Sequence, residues 1–493
     1  MIALVALVVL LPLLGAVAIA FGAHARGAGF AAIAGGVGTF ASSILLAVRV
    51  EHLGHVEAWG GFLYVDSLGA FFTVVVSLVV LLASFGSAAY LRVEEERREL
   101  STFQVQLYFI FFALFASGML AVFMTGNLGL LWVLVETSTL ASVVLVGLEG
   151  KARSLEAAWK YVIIASFGVT VALVATLFLF FAASGISLTS GERLTWYYLL
   201  AHAHGLTPAS MRLAFLLAVV GYGTKVGLAP MQTWLPDAHS EAPSPASAML
   251  SAGLLNTGMY AIIRFRAIAS RSLGASYPDT VLLVFGFLSV FIGVMFIVRA
   301  RNYKRLYAYS SIEHMGIISV ALGFGGTLGL YGALLQVLAH AIGKAVLFLT
   351  SGHLVLGYRS REVSQVRGVL TTFPFAGGVL LLAALAVGGS PPFGVFLSEL
   401  TIVRAGFAAL NPLVPAFLLL LLVIGFVALL STTFTMVSGE RPDAEVLAPY
   451  QGRSERVLAA LPLVGGIGAL GLLGMWIPGG LNELLMHSLR AVT

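Results

Sequence analysis

Cysteine is absent from all 493 residues, which excludes thiolate-ligated iron–sulfur clusters, zinc–thiolate sites and disulfides. Charge is nearly as scarce. Only 10% of residues are Asp, Glu, Lys or Arg, against about 25% in ordinary soluble domains. No phosphate loop ending in Gly-Lys-Ser/Thr and no His-Glu-x-x-His occurs, so the phosphate and zinc chemistries those motifs carry have no support. What fills the chain instead is apolar: 59% hydrophobic residues and a mean hydropathy of +1.00. A packed core cannot hide that much apolar surface from water, so the solvent is lipid. No polar module interrupts the apolar stretches, which argues for one continuous bundle. The first of them starts at Met1 without a basic flank and reads as a retained helix rather than a cleaved leader. A net charge of +5 would suggest nucleic acid in a soluble chain; here it follows from loop topology.

A hydrocarbon core about 30 Å thick needs roughly 20 apolar residues per helix. That rule predicts an all-α integral membrane protein of about fourteen spans. They lie near 2–21, 29–48, 67–90, 103–124, 127–148, 156–184, 213–235, 244–263, 279–298, 306–324, 327–357, 371–403, 412–437 and 457–477. Of the 27 basic residues, Lys160, Lys225 and Lys344 fall within spans. Eight lie in one set of loops or at its helix ends: Arg49, Arg193, Arg212, Arg264, Arg266, Arg271, Arg404 and Arg490. The other sixteen, from Arg26 to Arg456 and including Lys304 and Arg441, lie in the opposite set. The positive-inside rule makes the richer side cytoplasmic. Both termini are then on the outer side of a bacterial or archaeal cytoplasmic membrane.

Two spans contain proline well inside the apolar stretch. The seventh runs Gly-Tyr-Gly-Thr-Lys-Val-Gly-Leu-Ala-Pro over 221–230, and the twelfth Val-Gly-Gly-Ser-Pro-Pro-Phe-Gly over 387–394. Pro230, Pro391 and Pro392 remove backbone donors and break the helix. Freed backbone at membrane depth survives only against protein or water. Matched broken segments also point to an inverted repeat with an ion site at its interface. A five-span offset predicts repeats over spans four to eight and nine to thirteen. The organisation is then an N-terminal three-helix segment 1–100, repeats 101–268 and 269–438, and a C-terminal loop and helix 439–493. The plainer alternative is a pair of proline-kinked packing helices.

Charges inside lipid cost about 2.5–3.5 kcal/mol each on insertion scales, so they are paired, wet or functional. Glu136 sits mid-span before Thr137, Ser138 and Thr139. Lys225 lies about a turn before the first break, between Gly223 and Gly227. A glutamate–lysine pair is a natural proton-loading switch, because burial opposes charge on each group and pairing restores it. Either could instead be helix glue. Gln336, His340 and Lys344 recur every four residues on one helix face and can hold a water chain. Glu399 follows the second break, as an exit or terminal acceptor. Lys160 is four residues after Glu156, so an interfacial ion pair is its plainer role. His314, in Ser-Ser-Ile-Glu-His-Met-Gly (310–316), either polarises a second channel or bonds a carbonyl. Asp237, His239 and Glu241 read as a capping turn, and no metal site is expected there.

Together these segments resemble the antiporter-like subunits shared by respiratory complex I, Mrp-type cation/proton antiporters and membrane-bound hydrogenases. The resemblance runs from the third to the thirteenth span. It rests on Glu136, on Lys160 in Ala-Ala-Trp-Lys-Tyr, on Gly223 to Pro245 with Lys225 and Trp-Leu-Pro-Asp-Ala-His, on Ser310–Gly316, on His340-Ala-Ile-Gly-Lys344, and on Pro391 to Glu399. Within that family, Ser154-Leu-Glu-Ala-Ala-Trp-Lys-Tyr and Ala-His-Ser-Glu-Ala-Pro-Ser-Pro most resemble hydrogenase-4 component F of formate-hydrogenlyase-type complexes. The resemblance implies fourteen helices in two face-to-face inverted five-helix repeats. It implies Glu136 and Lys225 as a paired first proton site, Lys160 as modulator, Lys344 with His340 as central relay, and Glu399 as terminal residue, as in the M-type subunit of complex I. It implies no cofactor and no redox site in this chain. The partners implied are other antiporter-like and small membrane subunits with peripheral redox subunits, and the ions moved are protons or Na⁺. One position departs: where many members carry lysine in Leu-Leu-Lys-Thr-Gly, this chain has Asn256, which orients water but carries no proton. Nothing beyond span fourteen matches the long lateral helix of the distal subunit, so another antiporter-like subunit is expected. The rival branches are the M-type complex I subunit and an Mrp-like sodium/proton antiporter.

Overall fold

A computed structural model describes residues 2–22, 24–440 and 446–492; Arg441 lies outside them. Twelve helices among the described residues are long and apolar enough to cross a membrane. In chain order the helices are α1 (Ile2–Ala20), α2 (Arg26–Leu53), α3 (Ser67–Glu96), α4 (Thr102–Val122), α5 (Leu128–Val146), α6 (Ala152–Ala182), α7 (Pro208–Val226), α8 (Ser244–Leu273) and α9 (Ser276–Arg299). Then follow α10 (Tyr303–Phe324), α11 (Gly326–Tyr358), α12 (Pro374–Val387), α13 (Gly394–Ala409), α14 (Leu413–Ser438), α15 (Arg453–Met475) and α16 (Gly479–Arg490). The two expected spans outside the twelve have physical reasons to fall short. Helix α10 is 22 residues long but carries Lys304, Arg305 and Glu313, and the twelfth span is divided into α12 and α13. A hairpin of β1 (His55–Ala58) and β2 (Leu63–Asp66), in register His55↔Asp66, joins α2 to α3.

Large apolar side chains such as Phe21, Phe167 and Leu413 face outward, while Lys225, His340 and Lys344 are fully buried in an otherwise apolar interior. The apolar stretches of α8 and α11 are 100% buried, whereas that of α1 is only 22% buried. Several helix starts are capped by short polar side chains. Asp66 accepts from Gly69 N at 2.9 Å, Asn127 from Leu130 N at 2.9 Å and Asn302 from Arg305 N at 3.1 Å. Asn127 and Asn302, which start α5 and α10, also bridge the segments ahead of the two breaks, at Thr195 and Glu362.

Both breaks are where the prolines place them. Helix α7 ends at Gly227 in the left-handed region (φ 80°), and a short helix resumes at Trp234–Glu241. The freed groups find protein partners: Ala229 N donates to Ser289 Oγ at 2.9 Å and Trp234 Nε1 to Thr224 O at 2.8 Å. The second break spans 388–393, with Gly389 also at φ 80°. Each break contains one cis proline bond, at Pro230 and Pro392. Helix α15 lies so close to the second break that a Cβ on Gly474 would overlap the carbonyl of Pro392. Gly474→Ala is therefore expected to cost about 1–3 kcal/mol by overpacking, visible as a lower thermal midpoint of the detergent-solubilised protein; an unchanged midpoint contradicts it.

Three basic residues counted with the loops are in fact buried. Lys304 donates to Ala242 O at 2.6 Å, Arg264 pairs with Asp66, and Arg266 pairs with Asp279 at 2.7 Å. Helix ends tuck into the bundle there, which span counting cannot register. Taking one from sixteen and two from eight leaves fifteen against six, so the charge asymmetry keeps its direction.

Candidate functional site

Lys225 is 0% exposed and stands where α5, α6 and the first break meet. Its Nζ donates to Thr139 Oγ1 at 2.5 Å and to Tyr161 OH at 3.2 Å. The phenol shares a hydrogen bond with Ser142 Oγ at 2.7 Å, and its ring stacks on Trp234 at 4.5 Å, tying the ammonium to the resumed helix. Glu136 makes no direct contact with Lys225, though its carboxylate acts on the ammonium electrostatically. Its Oε1 accepts from Ser166 Oγ at 2.8 Å, while Oε2 is buried without a partner. The ammonium meets α5 at Thr139, three residues past Glu136. The offset is almost a helical turn, about 1.5 Å of rise per residue.

Lys160 is half-exposed and makes the expected ion pair with Glu156 at 2.6 Å. It also reaches Asp237 at 3.3 Å, which Arg305 holds from the other side at 3.0 Å. Asp237 thus joins charges on three elements instead of only capping a turn. His239, from the same turn, is buried against Trp234 and Phe348, with Nδ1 on Leu235 O at 2.8 Å and Nε2 unpartnered.

Between the halves, a π-turn over Leu250–Leu254 precedes Asn256. The amide Nδ2 of Asn256 donates to Ala252 O at 2.8 Å, and its buried Oδ1 has no protein partner. The π-turn exposes Ser251 O to His340 Nε2 at 3.4 Å, leaving His340 Nδ1 unpartnered. Buried polar atoms of this kind are the usual seats of internal water.

The second half repeats the motif of a buried cation among neutral oxygens. Lys344, also 0% exposed, donates to Ser310 Oγ at 2.6 Å and Tyr307 O at 3.1 Å. His340, one turn earlier on α11, lies 5.1 Å from His314 between ring centres. Gln336 Nε2 donates to His314 Nδ1 at 2.9 Å, and Ser398 Oγ donates to Gln336 Oε1. The predicted Gln336–His340–Lys344 line and His314 therefore form one cluster. Glu399 sits apart from it, its carboxylate against the bare backbone of Gly389. It opens on a cleft of about 400 Å³ lined by Gly388, Ser390, Phe396, Leu422 and Phe426.

Among the described residues, no carboxylate lies within 4.0 Å of either Lys225 or Lys344. Each ammonium is held by neutral oxygens alone. The sequence reading missed one acid, Glu313, buried on α10.

The region holding all these side chains, residues 125–427, matches the family model described as NADH:quinone oxidoreductase/Mrp antiporter, TM. The chain belongs to this antiporter family. A hydrogenase-4 component F homolog of Methylacidiphilum infernorum (isolate V4) is 36% identical over 382 residues, covering 77% of this chain and 80% of that one. Two solved structures share the fold. A chain of the membrane-bound sulfane sulfur reductase, an archaeal respiratory membrane complex, aligns with a TM-score of 0.84 at 23% identity, over 99% of this chain and 97% of that one. A chain of the Mrp complex from Dietzia sp. DQ12-45-1b aligns with 0.83 at 21% identity, over 100% and 98%. As an antiporter-family chain, it is a multi-pass membrane protein whose structural neighbours are subunits of larger membrane complexes. Every residue of the candidate proton site, from Glu136 to Glu399, falls inside the family match.

Proposed function

We propose that this chain is the non-redox, proton-translocating subunit of a multisubunit membrane oxidoreductase of the group 4 hydrogenase or formate hydrogenlyase type. The observation that carries the reading is the pair of buried lysines, Lys225 and Lys344, each held by neutral oxygens and by no counter-ion within 4.0 Å. A buried ammonium without an ion pair has no contact that locks its proton in place. The paired breaks, the paired asparagine caps at Asn127 and Asn302, and the five-span offset support two inverted repeats within about fourteen spans, one lysine to each.

In this reading a redox event in a partner subunit alters the charge near Glu136. Lys225 then releases its proton across the Asn256–His340 region toward Lys344, and a proton leaves past Glu399. Lys160 sets the field at the first site. Moving one charge against 100 mV costs about 2.3 kcal/mol, which a proton-affinity change of under two pK units supplies at about 1.4 kcal/mol each. The chain lies in a cytoplasmic membrane with both termini outside. The hydrogenase branch draws on the component F homolog.

Mass spectrometry of what co-purifies with the tagged chain in mild detergent tests the assignment. Hydrogenase large and small subunits are expected. Quinone-reductase subunits would move the chain to complex I, and other antiporter-like subunits alone would make it an autonomous sodium/proton exchanger.

A further inference from the structure

Glu313 is buried to 6% exposure in the middle of α10. It stands three residues after Ser310, whose hydroxyl holds the Lys344 ammonium at 2.6 Å. Residues three apart are neighbours on a helix surface, so Glu313 lies beside the serine that meets Lys344. Its carboxylate packs against the bare backbone of Gly425 on α14, where any Cβ would overlap Oε1, and its own backbone lies against Gly293 on α9. The neighbouring helices thus present glycine at the two places where a larger residue would crowd this acid. Glu399 is accommodated in the same way at Gly389. Electrostatically, Lys344 acts on Glu313, and Glu313 in turn acts on Glu399. Helix α14 connects the two acids, since Gly425 meets Glu313 while the adjacent Phe426 lines the cleft on which Glu399 opens.

We propose that Glu313 is a proton-carrying residue between Lys344 and Glu399. The Lys344 ammonium gives one proton to the Glu313 carboxylate, leaving an amine and a carboxylic acid, both neutral. The Glu313 acid gives that proton to the Glu399 carboxylate and regains its charge. Glu399 then releases the proton toward the cleft, and Lys344 is reloaded from the His340 side. No oxidant, reductant or covalent intermediate is involved. Without Glu313, α10 offers no carboxylate between Lys344 and Glu399 to receive the proton. The inference rests on the proposed translocating role and names a further residue for it.

The test uses the intact complex isolated with its native partners, reconstituted in vesicles, with proton movement and electron turnover measured together. Glu313→Gln preserves size and hydrogen bonding, and is expected to lower protons moved per turnover on the order of tenfold or more at unchanged subunit composition. Glu313→Asp is expected to recover part of the loss, which a purely packing role would not do. Translocation within twofold of wild type in Glu313→Gln overturns the inference. If Lys344→Ala also translocates normally, the underlying reading fails with it; if Lys344→Ala is inactive, only the Glu313 step is lost. Should Glu313→Gln fail to assemble, infrared difference spectra of Glu313→Asp during turnover decide. A displaced protonated-carboxyl band is expected, and a spectrum identical to wild type overturns the inference.

Discussion

Replacing Lys225 by alanine is expected to abolish coupled proton movement, by on the order of a hundredfold or more, while leaving the fold in place. The two halves of that statement come from the same geometry. Lys225 stands fully buried at the junction of α5, α6 and the first break, and its bonds go to Thr139 and Tyr161. Alanine removes the proton carrier and a buried charge together. It breaks no direct hydrogen bond to a carboxylate, because Glu136 is hydrogen-bonded to Ser166 and not to the lysine. Breaking a contacting buried ion pair costs about 3–5 kcal/mol because a charge is left behind; without that contact, the cost here is expected to be smaller. Tyr161 keeps its bond to Ser142 and its stacking on Trp234. The check is protons per turnover alongside the thermal midpoint of the purified complex. Full translocation by the variant, with normal assembly and turnover, contradicts the account.

Asp66→Ala is expected to behave in the opposite way, destabilising the protein by about 3–5 kcal/mol through a residue outside the proton path. Asp66 caps α3 and holds Arg264, which is 1% exposed and lies 3.7 Å over the Trp196 ring. Truncating the aspartate loses the cap and leaves a guanidinium buried with only Tyr260 OH, at 3.1 Å, among its named side-chain acceptors. A second variant separates the causes. Adding Arg264→Met to Asp66→Ala removes the stranded charge and should restore most of the loss, since apolar replacements of buried pairs are often neutral or better. Thermal unfolding in detergent measures both. A loss below about 1 kcal/mol in the single variant, or no recovery in the double, contradicts this assignment.

Much of this was legible in the sequence because lipid imposes a coarse rule. Twenty apolar residues per crossing and a proline inside a crossing are visible without any structure, and both broken segments lie where Pro230 and Pro391–Pro392 place them. The charge-bearing cluster on α11 was visible for a similar reason: a four-residue spacing fixes one helix face whatever the neighbours. What escaped depends on neighbours. Whether a basic residue at a span end lies in water or under another helix is a tertiary fact, so Lys304, Arg264 and Arg266 were misplaced. A charge-coupled Glu136–Lys225 pair follows from residue type, but contact across helices depends on their axial stagger, which puts Thr139 at the ammonium and leaves Glu136 to act through space. Glu313 lies inside Ser-Ser-Ile-Glu-His, where the histidine is the residue that draws a functional reading. One signal could have found it. The five-span offset that relates the breaks also relates Glu136 in the fifth span to Glu313 in the tenth.

The central claim is that the buried side chains of this chain carry protons, driven by redox turnover in its partners. The most direct measurement is vesicle acidification by the reconstituted wild-type complex during electron transfer in sodium-free buffer. The account predicts an acidification that a protonophore collapses and that adding Na⁺ leaves unchanged. Turnover with no acidification, or acidification that appears only when Na⁺ is present, would contradict it.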